Sequence, residues 1–153
     1  LMVGDATKVS AEVVGYRGSG PLLTDLLGGQ VPVAFDTFDT QLPQHEAGKI
    51  RILAVSGAKR NAMAPQIPTF KESGMDVVAT GWNTLFAPLS MPQATVDRLA
   101  RLVMEVMQDP DTQRKFAAAK MDPVVSSPAQ TATMLKAYRA QWAPVVQRSG
   151  FKP

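Results

Sequence analysis

Short apolar runs separated by turn residues fill the first half of the chain. Three of these runs predict strands: Val9–Tyr16, Val31–Phe35 and Ile50–Val55. A helix is predicted after each of the first two strands, ending at Gly28 and Gly48 respectively, because glycine accepts the left-handed conformation that follows a helix. Strands that alternate with helices are typical of an α/β fold with a parallel sheet.

The chain becomes helical after a mixed segment near residues 77–88. One apolar stripe has steps of three or four residues and predicts a helix over Thr95–Gln108; it consists of Val96, Leu99, Val103 and Val106. Asp109 and Ser127 each precede a proline, which predicts the N-caps of two further helices. Pro144 predicts a kink near the end of the last helix. A shorter helix is predicted earlier, over Thr69–Ser73.

Composition excludes several classes of site. The chain has 153 residues, no cysteine and one histidine, His45, so thiolate chemistry, cysteine-bound zinc and a two-histidine metal site are excluded. No metal ion or other cofactor is expected. No stretch is apolar for long enough to predict a membrane span, and the segment after Leu1 does not have the pattern of a secretory signal.

The charge is unevenly distributed. The net charge is +3, yet residues 112–153 hold seven basic side chains and one acidic side chain. These basic residues are scattered along two predicted helices without a recognisable nucleic-acid-reading motif, which favours a solvated helical face over a nucleic-acid site.

Three polar loops follow the three predicted strands. They are Tyr16–Gly20, Asp36–Thr40 and Ser56–Arg60. Loops at the carboxyl ends of parallel strands meet along one edge of the sheet, where such folds bind ligands. Hydroxyl groups, glycine N–H groups and cations in these loops suit an anion, because helix N-termini carry unpaired donors and a partial positive charge.

Two of these loops also have a simpler interpretation. Ser19, between two glycines, can serve only as the cap of a tight turn, and Asp36 and Asp39 can serve only to complement a helix dipole. A further hypothesis is an enzyme that uses Asp36 or Asp39 as a general base. Nucleotide-binding glycine motifs are absent from the sequence.

Five segments, in family order, resemble the tripartite tricarboxylate transporter receptors, also called the Bug family. The segments are Tyr16–Gln30 (YRGSGPLLTDLLGGQ), Ala47–Ser56 (AGKIRILAVS), Ile67–Gly74 (IPTFKESG), Gly81–Pro88 (GWNTLFAP) and Trp142–Val146 (WAPVV). Together they extend over nearly the whole chain.

This resemblance implies a receptor rather than an enzyme: a periplasmic solute-binding protein that closes on a small carboxylate and presents it to a membrane permease. The implied fold is an α/β lobe of the type II periplasmic-binding-protein kind. The implied domains are a ligand-binding lobe at 1–80, a crossover at 81–88 and helices at 89–153 that pack on the family's first domain. The implied ligand-binding residues are Tyr16, Arg17, Gly18, Ser19, Gly20, Pro21, Asp36, Thr37, Asp39 and Thr40.

Family members are about twice as long as this chain, and the half without a counterpart is the N-terminal one. The apolar stripes of the later helices would then lack part of their usual partner surface. We expect these stripes to fold back on residues 1–80 or to pair with a second copy as a homo-oligomer. The alternative function is a scaffold or interaction module that keeps the fold without binding ligand.

Overall fold

The computed structural model describes residues 2–149, which contain six helices. In chain order they are α1 (Met2–Thr7), α2 (Ser19–Leu27), α3 (Phe38–Glu46), α4 (Gln93–Gln108), α5 (Pro110–Ala118) and α6 (Pro128–Ser149). The described residues form two compact units, 2–82 and 83–149. The first unit holds α1 to α3, and the second holds α4 to α6.

Glycines end α2 and α3, as the sequence predicts. Gly29 has a φ of 70°, in the left-handed region that glycine adopts without strain. Its N–H donates to Leu26 O at 3.2 Å, and Gln30 N–H donates to Asp25 O at 2.8 Å. This pair of hydrogen bonds is a Schellman motif. Gly48, also at a φ of 70°, ends α3 with the same pattern.

A small apolar core lies in the first unit. Leu42 of α3 is 0% exposed and clusters with Ala64 and Ile67, which belong to a proline-rich loop. Four partly buried side chains pack against this cluster: Phe38, Ile52, Val55 and Met63. Because two of the packed residues belong to α3, the core fixes the position of this helix and of its N-terminus.

A hydrogen-bonded turn replaces the short helix predicted over Thr69–Ser73. Glu72 N–H donates to Thr69 Oγ1 at 3.0 Å, and Thr69 N–H donates to Glu72 Oε2 at 2.8 Å. This reciprocal pair is a capping box. Arg60 Nε also donates to both oxygens of Glu72. The Thr69 N–H, and after it the Arg60 guanidinium, lower the pKa of Glu72 below its ordinary value.

The structure contains one isolated β-type pairing among residues 2–149. Val55 and Thr69 form a parallel bridge, in which Val55 N–H donates to Pro68 O and Phe70 N–H donates to Val55 O, both at 2.9 Å. The bridge does not extend into a ladder in either direction.

The predicted parallel sheet is therefore not confirmed. Within the described chain, Val9–Tyr16 and Val31–Phe35 have no strand pairing, and Ile50–Val55 has only the bridge at its last residue. A strand forms when a neighbour pairs with its backbone N–H and C=O groups, and apolar patterning alone does not supply that neighbour. Val13 and Phe35 accordingly remain 79% and 65% exposed.

Two helices of the second unit, α5 and α6, begin at the predicted N-caps. Asp109 Oδ2 accepts a 2.8 Å hydrogen bond from Thr112 N–H at the start of α5. Ahead of α6, Ser127 Oγ accepts from Gln130 N–H at 3.3 Å, and Ser127 N–H donates to Gln130 Oε1 at 2.8 Å. Both N-caps are confirmed. The helix α6 continues through Pro144, and the kink predicted there stays a prediction.

Apolar side chains of the second unit are widely exposed. No residue of α4, α5 or α6 is buried. On the predicted stripe of α4, Val106 is 56% exposed, and in the preceding segment Leu85 is 77% exposed. None of the described helices combines the length and the apolar character needed to cross a membrane.

Candidate functional site

The loops before α2 and α3 lie side by side. Ser19 is the first residue of α2, and its Oγ donates a 2.7 Å hydrogen bond to Oδ1 of Asp36. Asp36 lies two residues ahead of α3. The predicted juxtaposition of these two loops is therefore present, although the sheet from which it was argued does not form in the described chain.

The N-terminus of α2 is open and has no capping side chain. Gly18 precedes the helix with φ 98° and ψ 174°, a conformation that side-chain-bearing residues rarely adopt. A Cβ added at Gly18 or Gly20 would meet no described atom within 4 Å, so the space beside each of these two glycines is open. Pro21 occupies the third helical position, still within the first turn, where its missing N–H interrupts no helical hydrogen bond.

The N-terminus of α3 is similar. Thr37 precedes the helix in an extended conformation and makes no side-chain capping bond. Its Oγ1 lies 3.0 Å from Oγ1 of Thr40, so the two hydroxyls share a hydrogen bond. Asp39 lies in the first turn, where a carboxylate complements the helix dipole. The first-turn N–H groups of both helices thus lack side-chain caps.

Gln41 is part of this arrangement, although the sequence pattern did not predict it. The residue is only 8% exposed, and its Nε2 donates a 2.5 Å hydrogen bond to Asp36 Oδ2. Its Oε1 is buried without a hydrogen-bond partner. The sequence offers one signal for this contact: Gln41 lies five residues after Asp36, near the start of the following helix. Both oxygens of Asp36 consequently accept a hydrogen bond, one from each helix.

Tyr16, the first residue of the loop before α2, is bonded to that helix. Its hydroxyl donates a 2.8 Å hydrogen bond to Oδ2 of Asp25 on α2. This bond, together with partial burial and the negative charge of Asp25, raises the pKa of Tyr16 above its ordinary value. The Tyr16 hydroxyl is thus occupied within the protein, and the exposed Arg17 beside it carries the positive charge of this loop.

The third predicted loop, Ser56–Arg60, has a different role for its arginine. Arg60 donates to Glu72 through Nε and to Pro65 O through Nη1 at 2.9 Å. The Arg60 guanidinium is therefore hydrogen-bonded to the capping-box turn and is not available to bind an anion. Lys59 is exposed.

His45 lies near the end of α3 and is bonded within the protein. The residue is half-buried, and its Nδ1 accepts a 3.4 Å hydrogen bond from Ile52 N–H. The imidazole thus connects the end of α3 to the segment that follows it. No group of acidic or histidine side chains in the described part of the chain could hold a metal ion.

This geometry brings groups that can bind an anion to one place. Two helix N-termini with free N–H groups meet at Ser19 and Asp36, and each contributes roughly half a positive charge. Hydroxyls on Thr37 and Thr40 add donors at the rim. Asp36 accepts one hydrogen bond on each oxygen and so orients the side chains of Ser19 and Gln41.

Comparison with known proteins gives one family. The family model described as "Tripartite tricarboxylate transporter family receptor" matches residues 3–151. The fold is similar to that of Rpa4515 from R. palustris, solved with adipate, at 31% identity and a TM-score of 0.90 over 99% of this chain and 51% of that chain.

Two further solved structures are similar. The periplasmic binding protein BugD is 28% identical with a TM-score of 0.81, over 97% of this chain and 51% of that chain. MatC from Rhodopseudomonas palustris, solved with bound malate, is 25% identical with a TM-score of 0.81, over 95% of this chain and 51% of that chain. The chain thus spans about half the length of the chains it resembles. The family match and the five sequence motifs agree, and the chain belongs to the tripartite tricarboxylate transporter receptor family.

Proposed function

We propose that this chain is part of a periplasmic solute-binding receptor and that the starts of α2 and α3 bind one small carboxylate together. The observation that carries the proposal is the 2.7 Å hydrogen bond from Ser19 to Asp36, which brings two uncapped helix N-termini to one place. Backbone N–H groups and hydroxyls there would hold the carboxylate, and Arg17 would attract it over a longer range.

The proposed ligand class is a dicarboxylate, a tricarboxylate or an amino acid. Adipate and malate, the ligands named for Rpa4515 and MatC, are both dicarboxylates. The proposed partner is the membrane permease of a tripartite tricarboxylate-type transporter, which the family name supports. The proposed contact residues remain Tyr16, Arg17, Gly18, Ser19, Gly20, Pro21, Asp36, Thr37, Asp39 and Thr40.

The proposed architecture is that of a periplasmic-binding-protein-like type II lobe. In it, residues 1–80 form the ligand-binding lobe, 81–88 cross over, and 89–153 pack on the family's first domain. The exposed apolar side chains of the unpaired segments support this proposal, because strand partners and a facing surface would cover them. Catalysis is not part of the proposal, because the matched family is one of transport receptors.

An interaction module is the second candidate, and the exposure of Leu85 and Val106 favours it. A thermal-unfolding series separates the two functions, because a ligand that binds only the folded state raises the midpoint temperature. We expect adipate, malate, citrate or aspartate to raise the midpoint, whereas acetate and a neutral sugar do not.

A matched pair of variants tests the site itself. Ser19→Ala should reduce the ligand-induced rise, and Thr24→Ala should leave it unchanged, because Thr24 lies on the same helix and donates only to Gly20 O. An unchanged midpoint with every carboxylate, together with binding of an apolar dye, would favour the interaction module.

A further inference from the structure

Helix α4 carries two apolar stripes, and only one of them is partly buried. The members of each stripe recur at steps of one, three or four residues, so each stripe follows one face of the helix. The partly buried stripe consists of Val96, Ala100, Met104 and Met107. The other, called here the exposed stripe, is between 37% and 56% exposed and consists of Leu99, Leu102, Val103 and Val106. A contiguous apolar surface of this kind indicates a contact with another helix.

The spacing of the exposed stripe is the same in both directions along the helix. Its four members follow one another at steps of three, one and three residues. A second copy of α4 laid antiparallel against it would therefore bring Leu99 next to Val106 of that copy, and Leu102 next to its Val103. Each layer of such a contact contains one leucine and one valine, so a larger side chain always faces a smaller one. A parallel copy would instead stack leucine on leucine and valine on valine.

The charges beside the exposed stripe fit the same antiparallel arrangement. Arg98 and Glu105 are seven residues apart, which is almost two helical turns, so they flank the stripe on one side and lie near its opposite ends. Both residues are exposed, and none of the ion pairs recorded among residues 2–149 involves either of them. In an antiparallel helix pair, each side of one helix meets the same side of the other in reverse order. Arg98 of each copy would then face Glu105 of the other copy.

We propose that two copies of this chain associate through the exposed stripe of α4, antiparallel and related by a twofold axis, with Arg98 of each copy paired to Glu105 of the other. The stripe supplies the affinity by removing apolar surface from water, and the two ion pairs select the antiparallel orientation. A surface that packs on a different domain need not match its own reverse, whereas a twofold contact requires that match. Exposed apolar residues outside the stripe, such as Leu85, remain for the packing on a first domain proposed above. The inference goes beyond the carboxylate-binding function and does not depend on it.

Sedimentation velocity on the full chain, from micromolar to millimolar concentration, measures this association. A contact confined to one helix is small, so we expect a reversible dimer with a dissociation constant on the order of tens of micromolar. Leu102→Glu introduces a charge in the middle of the exposed stripe and should abolish the dimer over this range. Leu85→Glu is the matched control, because Leu85 is an exposed leucine outside α4 and its replacement should leave the dissociation constant unchanged.

Exchange of the two charges tests the orientation and leaves the apolar stripe intact. Arg98→Glu alone and Glu105→Arg alone each place like charges opposite one another at both ends of the contact, and each should weaken the dimer about tenfold. The double variant restores both ion pairs with their signs reversed and should recover the original dissociation constant. Circular dichroism verifies that every variant keeps the helical content of the unmodified chain.

Three results would overturn the inference. A chain that is monomeric at every concentration would leave the exposed stripe to the family's first domain. A dimer that survives Leu102→Glu, or that Leu85→Glu weakens equally, would place the contact elsewhere on the chain. A double charge variant that is no tighter than the single variants would exclude the antiparallel pairing.

Discussion

Ser19 Oγ donates a 2.7 Å hydrogen bond to Asp36 Oδ1, and this bond joins the first residue of α2 to the loop that leads into α3. The two residues are 17 positions apart in the sequence, so the bond constrains a loop of that length. It is the contact on which the candidate site depends.

A double-mutant cycle measures this contact. Ser19→Ala, Asp36→Ala and the double variant should give a coupling free energy of about 1 kcal/mol in urea unfolding, because the two side chains are half-buried and hydrogen-bonded. Thr24→Ala combined with Asp36→Ala should give additive effects. A coupling of zero for the Ser19 cycle would mean that the two loops are held together by other contacts.

Tyr16 should titrate at unusually high pH. Its hydroxyl donates to Asp25, and this bond raises its pKa above the ordinary value of 10. The part of the ultraviolet titration that Tyr16→Phe removes should therefore have its midpoint above pH 10. Asp25→Asn should lower that midpoint.

The same shift has a consequence for stability. Because the pKa of Tyr16 is higher in the folded chain than in the unfolded chain, its contribution is complete below pH 10 and is lost as the pH rises through the folded value. Tyr16→Phe should flatten the alkaline fall in stability. A midpoint at or below 10 for Tyr16 would contradict the hydrogen bond to Asp25.

The capping box at Thr69 and Glu72 should make the first unit sensitive to acid. Because folding lowers the pKa of Glu72 below its ordinary value of 4.5, its contribution is present above that pH and is lost as the pH falls through the folded value. Glu72→Gln should reduce the loss of unfolding free energy as the pH falls. An equally steep loss in Glu72→Gln and in the unmodified chain would show that other carboxylates cause it.

The hydroxyl of Thr69 is tested separately at neutral pH. Thr69→Ala removes the side-chain acceptor for Glu72 N–H and should cost about 1 kcal/mol, whereas Thr69→Ser keeps the acceptor and should cost little. Equal losses in the two variants would assign the effect to the methyl group of Thr69.

Leu42 should dominate the stability of the first unit. The residue is fully buried in a core of few members, so Leu42→Ala should cost about 2–5 kcal/mol. Leu53→Ala is the matched control, because Leu53 is largely exposed and its loss should change the free energy of unfolding by less than about 0.5 kcal/mol. Similar losses in both variants, measured by urea unfolding, would mean that the core does not control this unit.

Helix ends were predictable from the sequence because they depend on neighbouring residues. Glycine at 29 and 48 and the Asp109–Pro110 pair determine the local backbone, and the structure has helix ends at each of them. The sheet was not predictable in this way, since Val13 or Leu53 forms a strand only where another segment supplies hydrogen-bond partners.

The site was predictable only in part for the same reason. The closeness of the two loops was predicted from a parallel sheet that the described residues do not form, and Ser19 and Asp36 nevertheless meet. Gln41 was not predicted because its role depends on burial and on a contact with Asp36. Neither property can be inferred from the presence of a polar residue inside a helix. The hydrogen bonds from Arg60 to Glu72 were also not predicted. The Thr69–Glu72 spacing of a capping box was nevertheless present in the sequence.

The most direct test of a carboxylate site shared by the starts of α2 and α3 is an NMR titration of the ¹⁵N-labelled chain with malate. It follows the backbone amides of Gly18 to Gly20 and of Phe38 to Thr40. If both helix starts hold one ligand, both sets of amides shift and fit a single dissociation constant, while amides of α5 do not move. Shifts in one set alone, or two different dissociation constants, would contradict a shared carboxylate site.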